Sequence, residues 1–253
     1  MKIYTTPVYP AWSENIARDY FKQTEESMPK NMLYIGDGRN MSDVSRSREQ
    51  IDLLKQTRMS KLKKWGFNPQ QIVLNQYIKG NKKELFRKLS KFDSVFVDGG
   101  NTFDLAKFLK LTSIDCWIEY NRDNPDFIYM GYSSGVTALS GNLTGIENFD
   151  SPYTGRFGYE LSAGLDNRSG LGITENTMIM QHKDSQSVAE NGRMRGEMID
   201  ETIAIRNERG LQTIAVEDGK MFEWDLVTNE KNMISYPQDD QRKRNLRVED
   251  YQI

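Results

Sequence analysis

The sequence predicts an α/β fold built on a mostly parallel sheet covered on both faces. Two observations carry this expectation. Short apolar runs of strand length alternate with amphipathic stretches of helix length over much of the chain, the signature of successive βα units. The 253 residues also contain no internal repeat and no linker-like stretch, so a single domain spanning 1–253 is expected, large enough to bury a sizeable core.

Taken in order, the candidate strands are Lys2–Thr5, Met32–Ile35, Ile72–Tyr77, Ser94–Val97, Phe127–Met130, Met178–Met180 and Thr213–Val216. Between them lie helix-like stretches at Ala11–Glu25, Ser45–Trp65, Lys82–Lys91, Thr102–Leu111, Ser134–Leu139 and Gly192–Arg206. Leu85, Phe86 and Leu89 return at helical spacing, as do Phe103, Leu105, Phe108 and Leu109, so each of these stretches has one apolar face to bury. The segment Ser140–Thr174 is rich in Gly, Asn, Asp, Ser and Tyr, with Pro152 inside it, and reads as loops and short strands. Thr213–Val216 and Met221–Trp224, separated by Glu217-Asp-Gly-Lys220, read as a hairpin with a tight turn. The charged run 237–253 reads as a tail.

Charge and cysteine content narrow the function classes. With 34 basic against 36 acidic residues and a net charge of −2, no global basic field points to nucleic acid. Lys61–Lys64 and the basic run 241–247 read as a solvated helix face and part of the tail. The single cysteine, Cys116, forms no internal disulfide and supports no multi-cysteine metal site; it reads as core. No metal or organic cofactor is implied. The N-terminus shows no apolar signal core and no run long enough to span a bilayer. The expectation is a cytoplasmic protein with no membrane or nucleic-acid partner; a homo-oligomer stays open.

The chemistry concentrates in Gly131-Tyr-Ser-Ser-Gly135, which follows the apolar strand Phe127–Met130 and precedes a helix-compatible stretch. That order is the sequence form of a nucleophile elbow, a sharp strand-to-helix turn that exposes a serine hydroxyl. Glycines on either side permit close approach of strand and helix. The chain has one histidine, His182, so a serine–histidine mechanism has one possible base. A second element, Val95-Phe-Val-Asp-Gly-Gly-Asn-Thr-Phe, ends a strand in two glycines before a helix that Asn101 or Thr102 can cap. Backbone N–H groups at such a strand end can receive an anion.

Gly99-Gly-Asn-Thr-Phe-Asp-Leu followed by Gly131-Tyr-Ser-Ser-Gly135 and a histidine after a short strand resembles the peptidase E family of serine peptidases, which includes cyanophycinases. The resemblance spans about residues 70–225. It implies a three-layer α/β sandwich of the flavodoxin-like kind, related to class I glutamine amidotransferases, and a Ser-His-acid mechanism on small peptides. Carried over by position, it makes Ser133 the nucleophile and His182 the general base, with the oxyanion held by the N–H of Ser134 and that of Gly99 or Gly100. The acid is Asp150, which precedes Ser151-Pro152, or a member of the Glu217-Asp218 turn; Asp150 is favoured. Arg195 is the candidate cation for the carboxylate of an N-terminal aspartate, and Asn101 a further substrate contact. Ser134 departs from the family's usual alanine. The N-terminal third and Gly155–Thr174 match nothing in the family pattern. An inactive peptide-binding protein on the same scaffold, or an esterase or amidase, remain the alternatives.

Overall fold

The computed structural model describes residues 1–6, 14–24, 30–36, 47–150, 168–189 and 192–235. In chain order the elements are β1 (Lys2–Thr5), α1 (Glu14–Thr24), β2 (Asn31–Ile35), α2 (Arg48–Lys64), β3 (Asn68–Gln70), α3 (Lys82–Leu89), β4 (Ser94–Val97), α4 (Thr102–Thr112), α5 (Ile114–Tyr120), β5 (Ile128–Gly131), α6 (Ser134–Thr137), β6 (Met178–Gln181), α7 (Arg195–Glu208), β7 (Thr213–Val216), β8 (Met221–Asp225) and β9 (Lys231–Ile234). Among the described residues, seven strands form one sheet in the order β3-β2-β4-β5-β1-β8-β9, and β6 and β7 form a separate pair. The five strands from β3 to β1 run parallel, while β8 and β9 close one edge as an antiparallel ribbon.

Alternation along each central strand makes the three layers, because successive side chains leave opposite faces of a sheet. Ile3, Leu33, Ile35, Val95, Val97 and Tyr129 point to one face, against Leu85 and Leu89 of α3, Phe103 to Leu109 of α4, and Ile114, Trp117 and Ile118 of α5. Tyr4, Met32, Tyr34, Phe96, Ile128 and Met130 point to the other, against Ala17 and Phe21 of α1 and Leu62 of α2. The expected three-layer sandwich is therefore the fold, with apolar surface of the strands buried on both faces as parallel pairing requires.

Three expectations need correction. No strand forms over Ile72–Tyr77. Leu74 and Tyr77 are the buried residues of a 3₁₀ turn there, and a spacing of three fits that helix. The edge strand is instead β3, where Pro69 is tolerated because an edge needs hydrogen bonds on one side alone. Thr213–Val216 and Met221–Trp224 do not pair as a hairpin. β7 runs parallel to β6, and β8 is antiparallel to β1. Cys116 is exposed, not core. It lies on α5, a helix the sequence reading missed, whose buried face is Ile114, Trp117 and Ile118 at i, i+3 and i+4. The tail 237–253 lies outside the described residues. No helix among the described residues is long and apolar enough to cross a membrane.

Candidate active site

The bend after β5 is made by close backbone approach. A side chain at Gly135 would bring its Cβ to 2.1 Å from the Val97 carbonyl oxygen, and one at Gly131 would meet Val136 at 2.5 Å. Both glycines are required for α6 to seat against β4 and β5. Tyr129, fully buried, donates its hydroxyl to the Gly135 carbonyl, and burial raises its pKa above the usual phenol value. Between the glycines Ser133 adopts φ 52 and ψ −119. A side chain held at positive φ costs about 1–3 kcal/mol, and persists because the surrounding packing fixes it. This is the backbone of a nucleophile elbow, and Ser133 itself is only half-buried.

The imidazole arrives on the other sheet. His182 directly follows β6, with φ 72, and its Nδ1 lies 2.9 Å from Asp218 Oδ1. A carboxylate accepts, so Nδ1 is the donor of this bond, and Nε2 is the ring nitrogen not engaged by it. Asp218 reaches this position through the parallel register that sets Gln181 beside Val216. The two strand ends lie side by side, and the acid stands two residues beyond its strand. Asp184 accepts from the Asp218 N–H at 2.6 Å, tying the two turns together. Gln181 joins this arm to the elbow. Its Oε1 accepts from Ser133 N at 2.5 Å, and its Nε2 donates to the Thr6 carbonyl at 2.5 Å. The imidazole also stands edge-on to Tyr132, with ring centroids 5.8 Å apart. The Ser133 hydroxyl makes no hydrogen bond among the described residues.

The Gly99–Gly100 loop lies against the elbow, with a Cβ at Gly99 falling 3.2 Å from Ser133 Cβ. Gly99 N donates to Asp98 Oδ1 at 2.7 Å, which removes it as an oxyanion donor. The N–H groups of Gly100 and Ser134 have no acceptor among the described residues. The Ser134 hydroxyl donates to the Gly100 carbonyl at 2.6 Å. Asp98 is fully buried, with Tyr34 OH at 3.0 Å and Arg58 Nε at 2.9 Å from its other oxygen. Burial works against the Arg58 charge, yet Asp98, Tyr132 and Tyr34 together raise its pKa above the ordinary guanidinium value. Its guanidinium carbon sits 4.1 Å over the Tyr132 ring.

The remaining sequence candidates fall elsewhere. Asp150, favoured as the acid, accepts from Thr102 N at 2.8 Å at the start of α4. The structure puts Asp218 on the imidazole in its stead. Glu217 pairs with Lys220 at 2.6 Å. Asn101 caps α4 by accepting from Asp104 N at 3.1 Å. Arg195 opens α7, half-buried, and its guanidinium has no hydrogen bond or ion pair among the described residues. Sequence reasoning missed Gln181, Asp98 and Arg58. The position of Gln181 beside the histidine was the one available signal. Among the described residues no cluster of three or more His, Cys, Asp and Glu side chains could hold a metal ion.

Comparison with known proteins adds a family. The profile of peptidase family S51 matches residues 13–229. A solved structure of a protein provisionally assigned to peptidase E, from Listeria monocytogenes EGD-e, is similar over 93% of this chain and 98% of its own, with TM-score 0.63 and 18% identity. A peptidase from an acI-B1 Actinobacterium is similar over 94% and 95%, with TM-score 0.54 and 10% identity. At such identities the likeness is one of fold. No curated protein matches.

Proposed function

The chain belongs to peptidase family S51 and is a serine peptidase, and from that membership we propose that it cleaves small peptides with Ser133, His182 and Asp218 as its working groups. His182 Nε2 takes the Ser133 proton as the hydroxyl attacks the scissile carbonyl, and Asp218 stabilises the imidazolium that forms. The developing oxyanion is received by the N–H groups of Gly100 and Ser134. The proton then passes to the leaving amine, and water releases the acyl group by the same steps. One observation carries this reading: a non-glycine residue in strained backbone at a strand-to-helix bend, beside a histidine already oriented by a carboxylate.

The substrate class within this reading is a dipeptide or short peptide with an N-terminal aspartate. Arg195 supports it as a half-buried residue that opens α7, the helix following the histidine in the chain, with a guanidinium able to grip a carboxylate with two parallel bonds. The test is an alkyl fluorophosphonate. It should label wild-type protein at Ser133 and leave Ser133→Ala unlabelled; labelling that persists in the alanine variant overturns the assignment. A second reading, a peptide-binding protein without turnover, is favoured by the Ser133 hydroxyl having no hydrogen bond to His182. Catalytic contacts often tighten only when substrate binds. Hydrolysis of aspartyl dipeptides by the wild type, lost in Ser133→Ala, excludes this second reading.

A further inference from the structure

We propose that the Ser134 hydroxyl and the Asp98 carboxylate are positioning groups that clamp the Gly99–Gly100 peptide from both ends, so that the Gly100 N–H stays aimed at the developing oxyanion. The proposal rests on the serine hydrolase reading above. Two adjacent glycines form the part of a backbone with the most freedom to lose, and Gly100 stands at φ 150, a region closed to most side chains. Left unheld, a peptide between two glycines can flip and turn its carbonyl toward a developing negative charge.

Both flanking groups are tied down. On one side Gly99 N–H is fixed on Asp98 Oδ1 at 2.7 Å. On the other, Gly100 C=O is fixed by Ser134 Oγ at 2.6 Å. Between these two bonds lies the one amide of the loop whose N–H is offered to substrate. Asp98 cannot swing away, because Tyr34 of β2 and Arg58 of α2 hold its second oxygen. Ser134, 7% exposed, thus has two tasks. Its backbone supplies one donor and its side chain sets the direction of the other. A donor fixed before the reaction lowers the barrier without tightening the ground state, which separates this role from a purely structural one.

The experiment measures saturation kinetics of phosphonylation by an alkyl fluorophosphonate, in which Ser133 Oγ bonds to phosphorus, fluoride leaves, and the serine proton goes to His182. The phosphoryl oxygen occupies the same donor pair as an oxyanion. Ser134→Ala keeps its N–H and should lower the maximal rate about tenfold, the effect of one ordinary hydrogen bond, with the half-saturating probe concentration unchanged. Ser134→Thr keeps the hydroxyl and should recover most of the rate. An alanine variant that reacts at the wild-type rate overturns the clamp, as does one whose loss lies wholly in probe affinity. If wild-type protein is not labelled at Ser133, the hydrolase reading itself fails and the clamp falls with it.

Discussion

The proposed nucleophile and its proposed base stand on two differently built regions. Ser133 ends β5, a central strand paired on both sides by β4 and β1. Its conformation is fixed by backbone packing, with Gly131 and Gly135 pressed against their neighbours. His182 directly follows β6, one of a two-stranded pair, and its place is set by its own hydrogen bond to Asp218 and, through the adjacent residue, by Gln181. Both residues stand at positive φ, 52 for Ser133 and 72 for His182, but packed backbone holds the first, whereas the second depends on side-chain groups that single substitutions can remove. Strain needs a scaffold that over-determines it, and a two-stranded pair at the side of the main sheet offers less of one.

The largest effect expected from this contrast is at Asp218. Asp218→Asn should lower kcat about ten-thousand-fold by favouring the wrong imidazole tautomer, whereas Asp150→Asn should leave kcat within about threefold and cost about 0.5–1 kcal/mol of stability at the start of α4. Steady-state kinetics on an aspartyl dipeptide, with thermal melting, checks both. The reverse ranking would return the acid's role to Asp150.

Next comes the bridge between the two regions. Gln181→Met orphans the Ser133 N–H and the Thr6 carbonyl, both satisfied through one amide. It should lower kcat about 30-fold and stability by about 2 kcal/mol. Near-wild-type kinetics would mean that the arm holds its place without the glutamine, and the contrast would lose its basis.

The smallest effect sharpens the picture of the rigid side. Asp104, in the first turn of α4, is 2% exposed, and burial raises its pKa to about 6, with Lys107 opposing and Asp150 adding to the shift. A carboxyl raised in the folded state binds its proton more tightly there than in the unfolded chain. Its contribution to stability therefore falls as pH rises from about 4 to about 6 and stays lost above. Asp104→Asn should remove about 1–3 kcal/mol of that decline, read as a smaller loss of melting temperature between pH 4 and pH 7. An unchanged pH profile would show that Asp104 is already ionised inside the helix.

How much of this was legible beforehand follows from distance along the chain. Gly131 to Gly135 and Gly99 to Thr102 are local patterns, and the strands that present them are short apolar runs readable by themselves. The three-layer sheet followed from alternation of strand and helix. The proposed acid did not, since Asp218 meets His182 only because β6 and β7 pair in parallel across 35 residues. Nothing in either short run distinguishes that pairing from a hairpin with β8. The same holds for Arg58, placed on Asp98 by the packing of α2 against the sheet.

The amino-acid order alone therefore determined the fold class, the serine at the bend, the lone imidazole and the glycine loop, because each is encoded within a few neighbouring residues. Only tertiary structure decided which carboxylate meets the imidazole, which amides of the loop and the bend lack an acceptor among the described residues, and what holds them there. Those are contacts between strand ends and loops far apart in sequence. Their partners are chosen by sheet register and helix packing, which no local pattern specifies.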